Sequence, residues 1–188
     1  MNWRVALIAF AAVASIALLI WLLSGSEPRP VSEEDFQVGA LPTPTPAPEQ
    51  RVVLLFAGSD GLLHPELRSV PLPEEVYERI RVVMTELLAG PESTSNLAPP
   101  VPYEASLGPV FVDNSGRAFV DITAPPHELE GSRTELMLAY GIVNSIILNC
   151  PEVSSVQILF GGHEVDSLTG HLDLSRPLVL NKRFIASS

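Results

Sequence analysis

The stretch LGPVFVDNSGRAFVDITA, residues 107–124, decides the fold that this sequence predicts. Apolar residues alternate with other side chains on both arms, as at Val110 and Val112 in the first arm. Between the arms lies DNSG, residues 113–116, which has the composition of a tight turn. Alternation of period two on both sides of such a turn is typical of a β-hairpin. The sequence therefore predicts two antiparallel strands in the middle of the folded part.

Amphipathic helices are predicted on both sides of this hairpin. In residues 74–89 apolar side chains recur at steps of three and four, which is the period of one helical face. Gly90-Pro91 then ends the helix. A second helix of the same period is predicted over residues 132–149, where Ser132 and Glu135 have the spacing of a capping box.

Further apolar runs lie outside the helices. RVVLLFAG, residues 51–58, is apolar on both faces and predicts a central strand, and VSSVQILFGG, residues 153–162, predicts the last strand. LLHPELRSVPLP, residues 62–73, carries three prolines, which favour a loop or an edge segment. The predicted order is β-α-β-β-α-β. This is an α+β fold, a small mixed sheet with two helices packed on one face, preceded by an N-terminal transmembrane helix.

The N-terminal region predicts a membrane anchor. Residues 5–23 are nineteen consecutive residues without a charge, enough to cross a bilayer core of about 30 Å. Arg4 precedes the run, which places the N-terminus in the cytoplasm and the rest of the chain outside it. A cleaved signal peptide has a shorter apolar region and a small-residue cleavage site. Lipid attachment needs a cysteine where Ser26 stands. We therefore predict an uncleaved, single-pass signal anchor in a bacterial cytoplasmic membrane.

The composition divides the chain into three parts: an anchor over residues 1–24, a proline-rich disordered linker over residues 25–50, and one folded domain over residues 51–185. The folded domain has nine basic and seventeen acidic residues. An acidic domain does not attract nucleic acid, since both carry negative charge, so no nucleic-acid partner is expected. Cys150 is the only cysteine, which excludes an internal disulfide and indicates a small buried hydrophobe.

The loop GGHEVDSLTGHLD, residues 161–173, is the candidate for chemistry. Its metal-binding hypothesis uses four side chains: His163, Asp166, His171 and Asp173. No HExxH spacing on a helix brings two of them together, so we predict a structural turn instead. In that interpretation Gly161 and Gly162 end the preceding strand, Gly170 adopts a backbone angle that a Cβ would resist, and His171 and Asp173 fix the turn by hydrogen bonds.

Catalysis is not predicted. The sequence has no Gly-x-Ser-x-Gly elbow and no phosphate-binding loop, so we expect no catalytic residue, no metal and no cofactor. A carboxylate pair of Asp121 and Asp173 for sugar chemistry would need a cleft that the sequence does not specify. Asp121 is expected to face solvent or to accept hydrogen bonds from an adjacent loop.

Partner contact is predicted on the second helix. It is apolar beyond its core-facing stripe, and Leu138, Ile142 and Leu148 are the candidate contact residues. The alternative is that neighbouring loops cover these side chains. Self-association through an edge near LVLN, residues 178–181, is a competing route.

Several motifs in their order resemble one family. They are LLAGP at residues 87–91, VDI at residues 120–122 and the closing turn GHLD at residues 170–173. Together with the runs around them they span the folded part, which resembles the GerMN domain, also called the sporulation and spore germination domain. The resemblance implies an envelope-attached extracytoplasmic domain without known catalytic activity, whose fold is similar to ring-building modules of sporulation and secretion channels.

The family resemblance and the anchor together give the functional expectation. Relatives with two copies of the domain and a lipid anchor differ from this chain, which has one copy and a protein anchor. We expect a non-catalytic protein-interaction or assembly module of the bacterial cell envelope, held in the membrane by residues 5–23, with an envelope protein or a second copy as partner. The alternative is a small-molecule or glycan-binding module that uses residues 161–173.

Overall fold

The computed structural model describes residues 18–19, 47–124 and 131–187. The chain divides into two compact units, residues 1–44 and 45–188. The predicted anchor, residues 5–23, lies outside the described residues except for Leu18 and Leu19, and so does the linker up to residue 46. Within the described residues, no helix has both the length and the apolar character to span a membrane.

The described residues of the second unit form seven regular elements and one short 3-10 helix. In chain order they are β1 (Glu49–Ala57), β2 (Leu63–Pro71), α1 (Val76–Leu88), β3 (Ser106–Val112), β4 (Arg117–Thr123), α2 (Ser132–Asn149), β5 (Ser155–Phe160) and the 3-10 helix Lys182–Phe184.

The α+β class is confirmed, but the strands form two sheets where the sequence predicted one. β3, β4 and β5 form a mixed sheet in which β3 and β4 are antiparallel and β4 and β5 are parallel. β1 and β2 form a separate antiparallel pair. α1 packs against β3, β1 and α2, while α2 packs against β1 and β5. The helices therefore contact both sheets and do not cover one face of a single sheet.

The predicted hairpin is confirmed as β3 and β4. Val110 pairs with Val120, and Val112 pairs with Ala118. The turn between them is fixed by the Asp113 carboxylate, which accepts hydrogen bonds from the backbone N–H groups of Ser115 and Arg117 at 2.8 and 3.0 Å. Local alternation and a turn of Asx type were sufficient signals here because both act within a few residues of sequence.

The proline-bearing segment after β1 is a full nine-residue strand, β2. Of the two predicted alternatives, a loop or an edge segment, the edge segment is confirmed. In an antiparallel pair, alternate residues direct both backbone groups away from the partner strand. The N–H of Leu55 points away from β2, toward Ser145, so its opposite residue Pro65 lies at a position that needs no N–H donor. Pro71, six residues later, has the same phase. Both prolines therefore fit an edge strand.

β1 was predicted to be a central strand, and this is wrong, because among the described residues β2 is the only strand that pairs with it. Its other edge is closed mainly by side chains of α2. The Asn149 side chain accepts a hydrogen bond from the Val53 N–H at 2.9 Å and donates one to the Val53 carbonyl at 2.7 Å. The Ser145 hydroxyl accepts from the Leu55 N–H at 3.1 Å, and Ala57 pairs with Ala98 of a loop.

β1 is nevertheless buried on both faces, which explains its continuous apolar run. Val52, Leu54 and Phe56 lie in the main core with residues from both helices and the three-stranded sheet. Leu55, on the opposite face, lies in a smaller cluster with Leu63 and Met137. One face of β1 is thus covered by both helices and the three-stranded sheet, and the other by α2 and the C-terminal segment.

Arg68 on β2 binds the C-terminal end of α1 through hydrogen bonds. Its guanidinium donates to the carbonyls of Glu86 at 3.1 Å and Gly90 at 2.6 Å, and to the Glu66 carboxylate at 2.6 Å. A cation at a helix C-terminus meets carbonyls that have no partner within the helix. Gly90 has a φ of +84°, so the glycine in the predicted stop signal is required by the backbone.

Candidate functional site

Glu135 forms the most connected polar site among the described residues. It lies in the first turn of α2 and is 1% exposed. Its carboxylate accepts hydrogen bonds from the backbone N–H groups of Leu168, Thr169 and His171 at 2.7, 3.2 and 3.0 Å. The hydroxyls of Ser167 and Thr169 add bonds of 2.6 and 2.7 Å. We call this arrangement the Glu135 clasp, because it holds residues 167–171 onto the start of α2.

The clasp keeps Glu135 ionised. Burial by itself raises the pKa of a carboxyl group, because it penalises the charged form. The hydrogen bonds from Ser167, Thr169 and Leu168 act in the opposite direction and lower the pKa of Glu135 from 4.5 to about 2. The carboxylate is therefore an acceptor whose lone pairs are already used by its own chain.

The sequence missed this role of Glu135. The predicted capping box is wrong, because Gly131 occupies the N-cap position of α2 and no side chain caps the helix. Glu135 bonds to a loop that is more than thirty residues away in sequence. A carboxylate on the apolar side of a helix was the available signal, since a buried charge needs partners somewhere in the fold.

The predicted turn glycines all have positive φ angles. Gly161, Gly162 and Gly170 have values of +59°, +81° and +87°. These backbone angles favour glycine, as was expected for Gly170, while the positive φ angles of Gly161 and Gly162 were not predicted. The N–H of Gly170 donates to the Ser167 hydroxyl at 2.6 Å, which ties this glycine to the clasp.

Asp121, on β4, is a second buried carboxylate, and it bonds to the same loop. It is 7% exposed, and its Oδ1 accepts a hydrogen bond from the Gly162 N–H at 2.8 Å. The expectation that it bonds to an adjacent loop is confirmed. Gly108 provides the space for it, since a Cβ there would lie 2.5 Å from Asp121 Oδ2.

The two histidines lie on the surface of the loop. The ring of His163 bonds through Nδ1 to the Gly161 carbonyl at 2.8 Å. The ring of His171 lies 3.1 Å from the Thr169 hydroxyl and 3.8 Å from the Glu135 carboxylate. Asp173 is bonded to the N–H of Ser175 at 3.0 Å. His171 and Asp173 thus take part in local turn bonds.

The loop does not bring the proposed metal ligands together. Over residues 47–124 and 131–187, the carboxylates, imidazoles and thiol form no group of three that would hold a metal ion. Asp121 and Asp173 differ in setting, since the first is buried under Gly162 and the second is exposed beside Ser175. Asp121 and Asp173 therefore accept hydrogen bonds from two separate turns.

The proposed contact residues on α2 divide into two kinds. Leu138 and Ile142 are fully buried in the main core, so the prediction that they form a contact surface is wrong. Burial all round α2 comes from β1 on one side and β5 and α1 on the others. Leu148 is 40% exposed and keeps its place as a candidate contact residue.

A groove runs between β2 and α1. It has a volume of about 440 Å³ and is lined by Val70 and Pro71 of β2 and by Glu78, Arg81, Val82, Thr85 and Glu86 of α1. The sequence did not indicate it, because a loop or an edge segment was predicted for its strand wall. We call it the β2–α1 groove.

The chain is similar to known proteins in sequence and in fold. A family model described as Germane, sporulation and spore germination, matches residues 48–166. A candidate lipoprotein from Clostridium perfringens has a similar structure, at 21% identity and a TM-score of 0.50, over 70% of this chain and 87% of that chain. A search of curated proteins gave no match.

Two structures from Bacillus subtilis are also similar. The tandem GerMN domains of the sporulation protein GerM align over 72% of this chain and 47% of that chain, at 12% identity and a TM-score of 0.52. Its first GerMN domain aligns over 71% of this chain and 98% of that chain, at 15% identity and a TM-score of 0.49. At such identities the likeness concerns the fold alone.

Proposed function

The chain belongs to the sporulation and spore germination family, and from this premise we propose that its folded part is a non-catalytic protein-interaction or assembly module of the bacterial cell envelope. The observation that supports the proposal is that the buried carboxylates bond to the backbone of their own chain. Glu135 and Asp121, the buried carboxylates of the described residues, both accept backbone N–H groups of residues 162–171. A catalytic carboxylate needs free lone pairs or a proton to exchange near neutral pH, and the pKa of Glu135 is about 2.

The envelope location rests on the sequence and on what similar proteins are described as. Residues 5–23 supply an uncharged run, and one structural neighbour is described as a candidate lipoprotein. In this proposal residues 5–23 anchor the chain in the cytoplasmic membrane with the N-terminus inside, and residues 25–50 separate the folded part from the bilayer. A reporter that is active only outside the cytoplasm, fused after Ser188, should be active. Activity only of an intracellular reporter at that position would contradict the proposed topology.

The interaction role is tested by photo-crosslinking in cells. A photoreactive residue is introduced into the full chain at Leu148 and, as a matched control, at Glu104, which is exposed and polar. We expect a discrete crosslinked species from one or more apolar surface positions, including Leu67 and Phe111, which are 58% and 51% exposed. If every position gives the same diffuse pattern as Glu104, the module has no stable partner in these cells.

Ligand binding by residues 161–173 is the second candidate function. The observation that favours it is the exposure of both imidazoles, His163 and His171, on one loop. Thermal unfolding of the full chain with peptidoglycan fragments distinguishes the two functions, because a ligand that binds only the folded state raises the melting temperature. A shift that disappears in His171→Ala would favour the ligand-binding function, and unchanged melting would favour protein contact.

A further inference from the structure

The outer edge of β2 carries backbone groups with no partner among the described residues. Because Leu55 and Ala57 of β1 direct their N–H groups away from β2, the residues opposite them have the same outward phase. Leu67 and Ser69 share this phase, so their N–H and C=O groups face outward. Neither forms a backbone hydrogen bond in residues 47–124 or 131–187.

Other edges of the two sheets are closed or interrupted. The open side of β1 is bonded to Asn149 and Ser145. β5 pairs on its outer side with Leu178, through bonds of 2.8 Å in both directions with Val156. β3 is interrupted by the irregularity between Leu107 and Val110. β2 is itself paired at one end, where the Leu63 carbonyl accepts a hydrogen bond from the Ala186 N–H at 2.9 Å. Its open stretch in the described part of the chain lies between Pro65 and Pro71, and Leu67 and Ser69 supply its outward N–H groups.

The β2–α1 groove lies beside this edge. A strand added to β2 sends every second side chain toward α1, where Val70 and Val82 form an apolar floor. Strand addition of this kind takes its affinity from backbone hydrogen bonds and its specificity from pockets for alternate side chains. The edge and the groove supply both requirements at one place.

The charges at the groove select the side chains that fit. Glu78 and Glu86 line it together with Arg81, and the Glu86 carboxylate is paired with the Arg68 guanidinium at 3.2 Å. The exposed Glu74 and Glu75 immediately precede α1 and add negative charge. The whole folded domain is acidic as well. Basic side chains are therefore favoured at the rim, and acidic ones are repelled.

We propose that the outer edge of β2 and the β2–α1 groove bind an extended segment of another protein, in which apolar residues alternate with Lys or Arg. This inference rests on the proposed interaction function and names its site and the chemistry of its partner. A second copy of the chain is a poorer occupant, because two acidic domains would meet and two prolines on each β2 would oppose one another.

The edge itself is tested by removing one N–H group. Leu67→Pro deletes the outward N–H donor, and Leu67→Ala is the matched control that removes the side chain but keeps the donor. Displayed random twelve-residue peptides are selected against the full 188-residue chain, and the affinities of enriched peptides are measured for both variants. We expect enrichment of apolar residues alternating with Lys or Arg, at least tenfold weaker binding to Leu67→Pro, and threefold or less weakening for Leu67→Ala.

The groove is tested separately by Thr85→Lys, which adds a positive charge at the rim. Basic peptides should bind this variant at least threefold more weakly. The absence of enriched peptides, or equal binding to wild type and Leu67→Pro, would overturn the inference. If Leu67→Pro does not fold, N-methylation of alternate peptide residues gives the same test from the other side of the interface, and undiminished binding again contradicts the proposal.

The failures of the inference and of the proposed function are distinguishable. A crosslinked envelope protein that persists in Leu67→Pro would leave the interaction function standing and overturn the β2 site. A dimer in sedimentation velocity that is lost in Leu67→Pro would replace the peptide partner by a second copy. Loss of all discrete crosslinks, together with peptide binding that still depends on Leu67, would retain the site as a peptide-binding surface and contradict a stable envelope partner.

Discussion

The two edges of the β1–β2 pair differ in what their outward backbone N–H and C=O groups bond to. On the β1 side, Asn149 and Ser145 of α2 bond to Val53 and Leu55 as a neighbouring strand would. On the β2 side, Leu67 and Ser69 face outward between two prolines. An isolated two-stranded pair is marginally stable in water, so one edge needs support from the fold. The comparison teaches that side-chain amides and hydroxyls on a helix are sufficient to provide it.

The supported edge gives the largest expected effect. Asn149→Leu keeps the side-chain volume but removes the bonds to both backbone groups of Val53. Unsatisfied backbone groups that are shielded from water cost about 1–3 kcal/mol each, so we expect a loss of about 3–4 kcal/mol in the free energy of unfolding. Urea denaturation of the full chain measures it. Ser145→Ala, which removes one acceptor, should lose about 1 kcal/mol, and equal losses for both variants would contradict the strand-like role of Asn149.

The other end of α2 supports a loop instead of an edge, and Glu135→Gln tests it. An amide replaces the charged acceptor and loses part of its hydrogen bonding, so we expect a loss of about 2 kcal/mol at pH 7. The control is Glu104→Gln, on the surface, which should change stability by less than about 0.5 kcal/mol. An effect of Glu135→Gln no larger than that of the control would show that the clasp does not stabilise the fold.

The same variant has a defined pH dependence. The folded-state pKa of Glu135 is lowered from 4.5 to about 2, so its stabilisation is fully present above pH 4.5 and is lost as the pH falls toward 2. The stability difference between wild type and Glu135→Gln should therefore be constant near neutral pH and shrink below pH 4.5. A difference that grows on acidification would contradict the assignment.

Arg68 links the open-edged strand to α1, and its removal has a smaller effect. Arg68→Met keeps the apolar stem and loses the bonds to Glu86, Gly90 and Glu66. Because Arg68 is partly buried, and the carbonyls of Glu86 and Gly90 lie near solvent at the helix end, we expect a loss of about 1–2 kcal/mol. Arg81→Met, an exposed base on the same helix, is the control in urea denaturation. Equal effects would show that the position of Arg68 on β2 has no special role.

The open edge gives the smallest expected effect on stability. Leu67→Pro removes an N–H that makes no bond within the described residues, so we expect a change of about 1 kcal/mol or less. Glu66→Pro removes the N–H that faces Leu54 of β1 and should cost at least about 3 kcal/mol. Glu66→Ala corrects for the lost side chain. Similar melting temperatures for the two proline variants would contradict the assignment that the Leu67 N–H faces outward and the Glu66 N–H faces β1.

The elements that the sequence predicted well are those with local signals. The β3–β4 hairpin has its alternation and its Asp113 turn within eighteen residues, and α1 and α2 show their period over several turns. For β2 the sequence left a loop and an edge segment open, because a proline is tolerated or excluded according to register, and register depends on the partner strand. β1 was misplaced because a continuous apolar run reports burial on both faces but not what covers them.

The site residues show the same division. The positive backbone angle of Gly170 was predicted from the sequence alone, since such an angle is a local property. Glu135 was assigned to a helix cap because its partners lie near residue 170, and nothing in the first turn of α2 indicates them. Ser145 and Asn149 carry a usable signal. They are polar residues four apart on a largely apolar stretch of helix, which is the spacing of a shared face.

Cys150, at the end of α2, offers a way to measure local opening of the fold. The side chain is fully buried, and burial raises the pKa of its thiol to about 11. Since the thiolate is the reactive form, alkylating reagents at neutral pH reach it only when the structure around α2 opens. The rate at which this single cysteine is alkylated therefore reports how often α2 separates from β1 and from the loop 167–171.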